Sequence, residues 1–193
     1  MNKHRLTLSV IILLISSILT WGQGLINFDL TPSGIYKSPD GKDFIVVPFD
    51  GKSSHHIFQE IMMNVNSLYR KPSEVVTTVE DKSIKIYAYS NEVIRDRVLG
   101  MKYKYGGFFQ LEFKIRDGRV RVSAPVMDEE VQCTNTEALI NGKFQALAKR
   151  HFKNGVIKNN ARKEDLAAVT EKMNTLINTL LNLNFIQDTN DDW

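Results

Sequence analysis

A single cysteine, Cys133, is the whole thiol content of the chain, so no intrachain disulfide can form and stability must come from a packed core. The same scarcity excludes a cysteine-rich zinc site and a lipoprotein anchor, which needs a cysteine at the leader's cleavage point. Cys133 itself reads as a small buried residue rather than a nucleophile. An excess of one charge is also missing: the formal net charge is +3, and such a balance selects neither nucleic acid nor a membrane surface. Motif chemistry is equally sparse. No serine sits in G-x-S-x-G, no glycine-rich loop leads into a lysine and a helix, and no H-E-x-x-H occurs. No apolar run reaches the roughly 20 residues needed to cross a bilayer comfortably.

What is present begins with a leader. Lys3, His4 and Arg5 make a basic start, and the chain then runs almost wholly apolar from Leu6 to Leu19, the order of a Sec-type signal peptide. Thr20 and Gly22 are the small residues ahead of Gln23, so cleavage is expected between Gly22 and Gln23, with cleavage after Gly24 as the alternative. Residues 1–22 are therefore read as the leader of an exported protein, periplasmic or extracellular, with no stable membrane anchor after cleavage. Lys3 and Arg5 leave with it. The remaining chain, about 170 residues, is close to neutral and sized for one core.

Residues 23–42 hold Pro32, Gly34, Pro39, Asp40 and Gly41 with little periodicity and read as an irregular lead-in. An α+β sheet domain is expected over 43–130. Its first strand, "DFIVVPF" at 43–49, is apolar on both parities and suits burial on both faces, with Pro48 marking a bulge or an edge. Ser53 or Ser54 can cap a helix over 55–69, where Ile57, Phe58, Ile61, Met62, Val65, Leu68 and Tyr69 recur at three and four. Pro72 ends it. Strands follow at 74–79 and 82–89, the second alternating Ile84, Ile86 and Ala88 with Lys85, Tyr87 and Tyr89. Residues 90–106, broken by Arg95, Asp96 and Arg97, read as a connection.

"FFQLEFKIRDGRVRVSAPV" is a β-hairpin expected to turn on Asp117-Gly118 in type I′ geometry. A two-residue loop pairs Ile115 with Val120 and Phe113 with Val122, which gathers Phe109, Leu111, Phe113, Ile115, Val120, Val122 and Ala124 on one face. Residues 131–186 read as a basic connection and a C-terminal helix packing on the same domain. That helix is expected over about 163–181, with Glu164 and Asp165 in its first turn and a stripe of Leu166, Val169, Met173, Leu176, Leu180 and Leu183. Residues 187–193 read as a loose acidic tail.

Candidate chemistry is thin. His55 and His56 are adjacent on a helix and point about 100° apart, so they do not share a metal; His56 and Glu60 have the right spacing, but no third ligand is evident. His151 reads as a surface residue, Ser53 as a helix cap, and Glu74 and Glu112 as solvent-facing charges. The basic stretch 143–163 can meet an anionic surface, though charge runs are usually only solvated faces. Parity offers more. With Ile84, Ile86, Phe113 and Val122 inward, Lys85, Tyr87, Tyr89, Arg116, Arg119 and Arg121 point to the open side of the sheet, and Tyr and Arg are enriched where proteins meet partners.

Taken together, the chain reads as α+β: an antiparallel sheet with helices packed on one face, in the order β-α-β-β-β-β-α. This is the order of a TATA-binding-protein-like domain, and the chain resembles domain-of-unknown-function family 4468, exported proteins of Gram-negative gut bacteria. The resemblance rests on "GIYKSPDGKDFIVVPFDGKS", "SLYRKPSEVV", "SIKI", "FKIRDGRVRVSAP" and "HFKNGVIKN" and spans roughly residues 30–182. It implies an exported module with no established activity and no catalytic residues to carry over, and the residues themselves lead to no expected cofactor or metal. The expected function is a non-enzymatic binding or structural module with a protein or glycan partner in the cell envelope and no nucleic acid, since fold does not imply function. The alternative is an envelope hydrolase with a site assembled from loops.

Overall fold

Strand parity builds the sheet. In the computed structural model, which describes residues 25–136 and 140–183, β1 (Asp29–Leu30) and β2 (Tyr36–Lys37) precede β3 (Phe44–Pro48), α1 (Ser54–Leu68) and α2 (Pro72–Val75). Then come β4 (Val76–Val79), β5 (Ser83–Val98), β6 (Met101–Arg116), β7 (Arg119–Ser123), β8 (Val126–Met127), β9 (Glu130–Cys133) and β10 (Asn141–Lys143). The chain continues through α3 (Phe144–Lys149), β11 (Phe152–Lys153), β12 (Val156–Ile157) and α4 (Asn160–Leu180). This order is longer than the seven elements expected. The leader with its Gly22–Gln23 cleavage point and the tail 187–193 lie outside the described residues.

The α+β class and antiparallel sheet are as expected. β5 and β6 form a central hairpin; β4 flanks β5, while β7 and then β3 flank one half of β6, and β8 and β9 flank the other. Phe113 faces Val122 and Ile115 faces Val120, and Phe109, Leu111, Phe113, Ile115, Val120, Val122 and Ala124 are all buried. Each large side chain so buried contributes roughly 1.5–3 kcal/mol. The turn departs from type I′, because Gly118 takes positive φ (+72°) and Asp117 does not. Its shape is fixed from outside: Gly118 N–H donates to the Lys52 carbonyl (2.8 Å), and Asp117 Oδ1 accepts from Ser54 N–H (2.7 Å).

Both long helices lie against the sheet's apolar face. Ser53 caps α1 by accepting from His56 N–H (3.2 Å), and Ile57, Ile61 and Val65 are buried. α4 starts earlier than expected, at Asn160, because Asn159 provides the cap by accepting from Arg162 N–H (3.0 Å). Glu164 and Asp165 therefore fall beyond the first turn. Its buried stripe includes Leu166, Val169, Met173 and Leu180 and centres on Ile177, with Leu176 only partly buried; Leu183 is buried too but lies beyond the helix end.

Four further expectations are corrected. Among the described residues β3 pairs only with β7, so it is an edge strand, as Pro48 allowed; Val47 is buried but Val46 is half exposed. The lead-in is not merely irregular, since Ile26, Phe28, Leu30 and Tyr36 enter the core. Asn178 and Asn174 hold its backbone on α4, accepting from Ile26 N–H (2.8 Å) and Phe28 N–H (2.9 Å) and donating to the carbonyls of the same two residues. Residues 90–106 are not a connection: β5 and β6 stay paired to a turn at Leu99-Gly100. Asn91, Glu92 and Val93 oppose Gly106 alone, a bulge that breaks the alternation before Ile94 resumes it. The basic stretch is likewise structured, contributing α3, the β11–β12 hairpin and the start of α4.

Candidate functional site

The sheet face away from the helices is built by the polar half of each strand's alternation. Lys85, Tyr87, Tyr89, Arg116, Arg119 and Arg121 are all exposed, the first three alternating on β5 with buried Ile84, Ile86 and Ala88. They form two groups rather than one. Phe108 and Arg116, which mark the two groups on β6, are eight residues apart, about 27 Å in an extended strand.

One group is aromatic and acidic. Phe108 pairs across the strands with Tyr89, stacks on Tyr87 with ring centroids 5.1 Å apart and meets Tyr89 edge-on at 5.3 Å. All three rings are roughly half exposed. The Tyr87 hydroxyl donates to Asp128 Oδ2 (2.5 Å), and that hydrogen bond raises the pKa of the phenol. Gly106 is required beneath Tyr89, because a Cβ there would lie 2.3 Å from the Tyr89 hydroxyl and 2.9 Å from the Ser90 carbonyl. Asp128, Glu129, Glu130 and Gln132 line the same shallow groove. Phe108 was missed from sequence, although its parity, one residue from buried Phe109, was available to find it.

The other group is basic. Lys114, Arg116, Arg119 and Arg121 surround Val46, and the Arg121 guanidinium lies 4.0 Å over the Phe44 ring, a cation–π contact. Lys85 lies between the groups opposite Glu112. Glu112 accepts from the Ser123 hydroxyl (3.3 Å) and lies 3.7 Å from the Lys114 ammonium, so it is less solvent-facing than expected; Glu74 is exposed and pairs with Lys71.

The histidines separate. His56 Nε2 meets Glu60 (3.0 Å), whereas His55 Nδ1 meets Asp81 Oδ1 (2.9 Å). His55, Glu80 and Asp81 bring three ligand-type atoms within 4.8 Å of one another, a set invisible in the sequence because the carboxylates come from the β4–β5 turn. These side chains are exposed or nearly so, and His55 Nδ1 is already engaged by Asp81. His151 is a correction: it is fully buried, with Nε2 2.7 Å from the Arg95 carbonyl and Nδ1 without a partner among the described residues. Burial lowers its pKa. Cys133 is buried as expected.

A cavity of about 470 Å³ lies between α4 and the β5 bulge, lined by Tyr36, Tyr69, Phe109, Val169, Met173 and Leu176 among others. Ser90 lines it as well, but its hydroxyl donates to the Glu92 carbonyl (3.1 Å), and no histidine is among its lining residues.

No protein-family model matches the chain, and no curated protein is significantly similar to it. Among solved structures, a TBP-like protein from Parabacteroides distasonis matches at a TM-score of 0.52 and 14% identity, covering 75% of this chain and 91% of that one. The chain has a TBP-like fold. A domain-of-unknown-function family 4468 protein from Bacteroides ovatus also matches, at a TM-score of 0.38 and 12% identity, covering 80% of this chain and 81% of that one; at that score the likeness adds nothing to the fold assignment. A TBP-like sheet with its helices on one side leaves the other side bare, and that bare side carries both groups. Among the described residues no helix is long and apolar enough to cross a membrane.

Proposed function

We propose that the chain is an exported, non-enzymatic binding module that meets a protein or glycan partner of the cell envelope across the bare face of its sheet. The observation that carries this reading is the Tyr87–Phe108–Tyr89 row, three rings left half exposed and held in place by stacking and by Asp128. The core makes no use of these exposed surfaces, and aromatic residues of this kind dominate binding energy where partners meet. Export is supported by the basic and apolar order of residues 3–19.

Replacing Tyr87 and Arg121 together by alanine tests the reading. Both are exposed, so the melting temperature should hardly move. Capture of a partner from an envelope fraction should fall at least about tenfold, since losses of this size are usual at Tyr and Arg anchors. Equal capture by the double variant and the wild type refutes the assignment of the face.

A further inference from the structure

The two groups on the bare face carry opposite charge. At one end Asp128, Glu129 and Glu130 line the aromatic groove, and among the described residues the only cation paired with them is Lys143, which holds Glu129 (2.6 Å). Asp128 Oδ2 accepts from the neutral Tyr87 hydroxyl, and among the described residues neither Asp128 nor Glu130 makes an ion pair. At the other end, among the described residues, Arg116, Arg119 and Arg121 make no ion pair, and Lys114 has only the distant Glu112 carboxylate (3.7 Å). Lys85, between them, faces Glu112 across the strands, so the middle of the face is locally neutral. Charges of opposite sign thus lie toward opposite ends of one sheet face, with Lys114 and Arg121 sharing a groove with Asp128 and Glu129 where the two groups approach.

We infer that the partner this face accepts is a second copy of the chain, docked face to face with its strands reversed; the inference rests on the reading of the face as the binding surface. A twofold axis lying between the two sheets and running across the strands sets the basic end of each copy over the acidic, aromatic end of the other. That is the self-complementary arrangement an isologous contact requires. The Arg119 and Arg121 guanidinium groups then meet carboxylates and tyrosine and phenylalanine rings, which suit guanidinium both by charge and by cation–π attraction. Paired sheets stack about 10 Å apart, a distance that long arginine side chains span. The face measures about 27 Å along β6 and about 20 Å across the strands, which covers about 500 Å² on each copy. Such a contact sits near the low end for specific interfaces, where charge complementarity rather than area sets the association. It should therefore be weak, reversible and sensitive to salt.

Sedimentation velocity over a concentration series tests it with the chain lacking only its leader. At about 0.01 M salt, where the Debye length is about 30 Å, the wild type should form dimers, and at about 1 M salt, where it is about 3 Å, it should be largely monomeric. Arg116→Glu with Arg119→Glu and Arg121→Glu leaves Lys114 as the one cation at that end and makes both ends acidic, and Asp128→Lys with Glu130→Lys makes both ends basic. Each variant alone should lose at least about tenfold in self-association, while its circular dichroism stays that of the wild type. An equimolar mixture should regain it, because every contact again joins opposite charges. A wild type that stays monomeric at low salt, or a mixture that stays monomeric, overturns the inference. If the mixture fails while the Tyr87 and Arg121 double alanine variant still loses envelope capture, the face stands as a binding surface and the second copy is not its partner.

Discussion

β6 ends in a hairpin at each extremity, and the two ends are held by different physics. At the Asp117-Gly118 end, the side chains pointing at the helices are Phe113, Ile115, Val120 and Val122, all apolar and all buried. At the Leu99-Gly100 end, the residue two beyond buried Ile94 is Asp96, which is 0% exposed. Its carboxylate is satisfied by Arg150 (2.7 Å) and by Arg162 from the start of α4. Next to it, Arg97 Nε donates to the buried Asp165 carboxylate (2.6 Å). One end is a local apolar pattern that names its own register; the other is a polar junction whose partners lie more than fifty residues away.

The sharpest test of the first end is Val120→Asp. It places an unpaired carboxylate among Phe113, Ile115 and Val122, and such a change belongs to the class costing more than about 4 kcal/mol. Urea unfolding should show the loss, or the variant should fail to fold. A stability near wild type would mean that Val120 does not face the core and that the register is wrong.

At the second end, Asp96→Ala should cost about 3–5 kcal/mol by the same measurement, the range for breaking a buried pair from one side. Arg162, which is largely buried, would keep its charge without a counterion. A loss below about 1 kcal/mol would show that water relieves this junction and that both ends depend on apolar packing. Acid sharpens the contrast. Burial alone would raise the Asp96 carboxyl, but hydrogen bonds from Arg162 and Arg150 outweigh it and hold the pKa below the usual carboxylate range. Burial likewise lowers the pKa of His151, whose ring lies against the Arg95 carbonyl. Both groups bind protons less readily folded than unfolded, so their stabilisation is present above the unfolded pKa and is lost as pH falls. For His151 that decline begins below about pH 6.5. His151→Gln should flatten it between about pH 6.5 and about pH 5, because the amide can still donate to Arg95 without taking up a proton.

This difference also explains what could be read from sequence. The hairpin at 117–118, α1 with its Ser53 cap and the outward parity of Lys85, Tyr87 and Tyr89 are all local properties of spacing, and each was legible. Residues 90–106 were not, because the bulge at 91–93 shifts the pattern and a carboxylate takes the inward place after Ile94. His151 failed for a related reason: a histidine amid lysines and arginines looks exposed until α3 and α4 close over it. The lead-in failed because its backbone bonds go to Asn174 and Asn178, some 150 positions away. On the candidate face, parity supplied the outward residues, but only the sheet order separated the aromatic, acidic group from the arginines.

The two turns allow a small and discriminating test. At Leu99-Gly100 both residues have positive φ (+51° and +84°), the requirement of a type I′ turn, which favours asparagine followed by glycine. Leucine is ill suited there because its Cβ crowds the backbone in the left-handed region, and Leu99 is 95% exposed, so it has no packing to lose. Leu99→Asn should therefore stabilise by about 0.5–1 kcal/mol. Asp117→Asn creates the same Asn-Gly dipeptide at the other end, but there only Gly118 has positive φ, so no left-handed strain exists to relieve. The aspartate oxygen that accepts from Ser54 N–H (2.7 Å) would be replaced by a weaker amide acceptor, and no gain should appear. Paired urea titrations read both variants directly. A gain at 117, or none at 99, would mean that turn conformation does not distinguish the two ends and that the polar junction at Asp96 alone sets them apart.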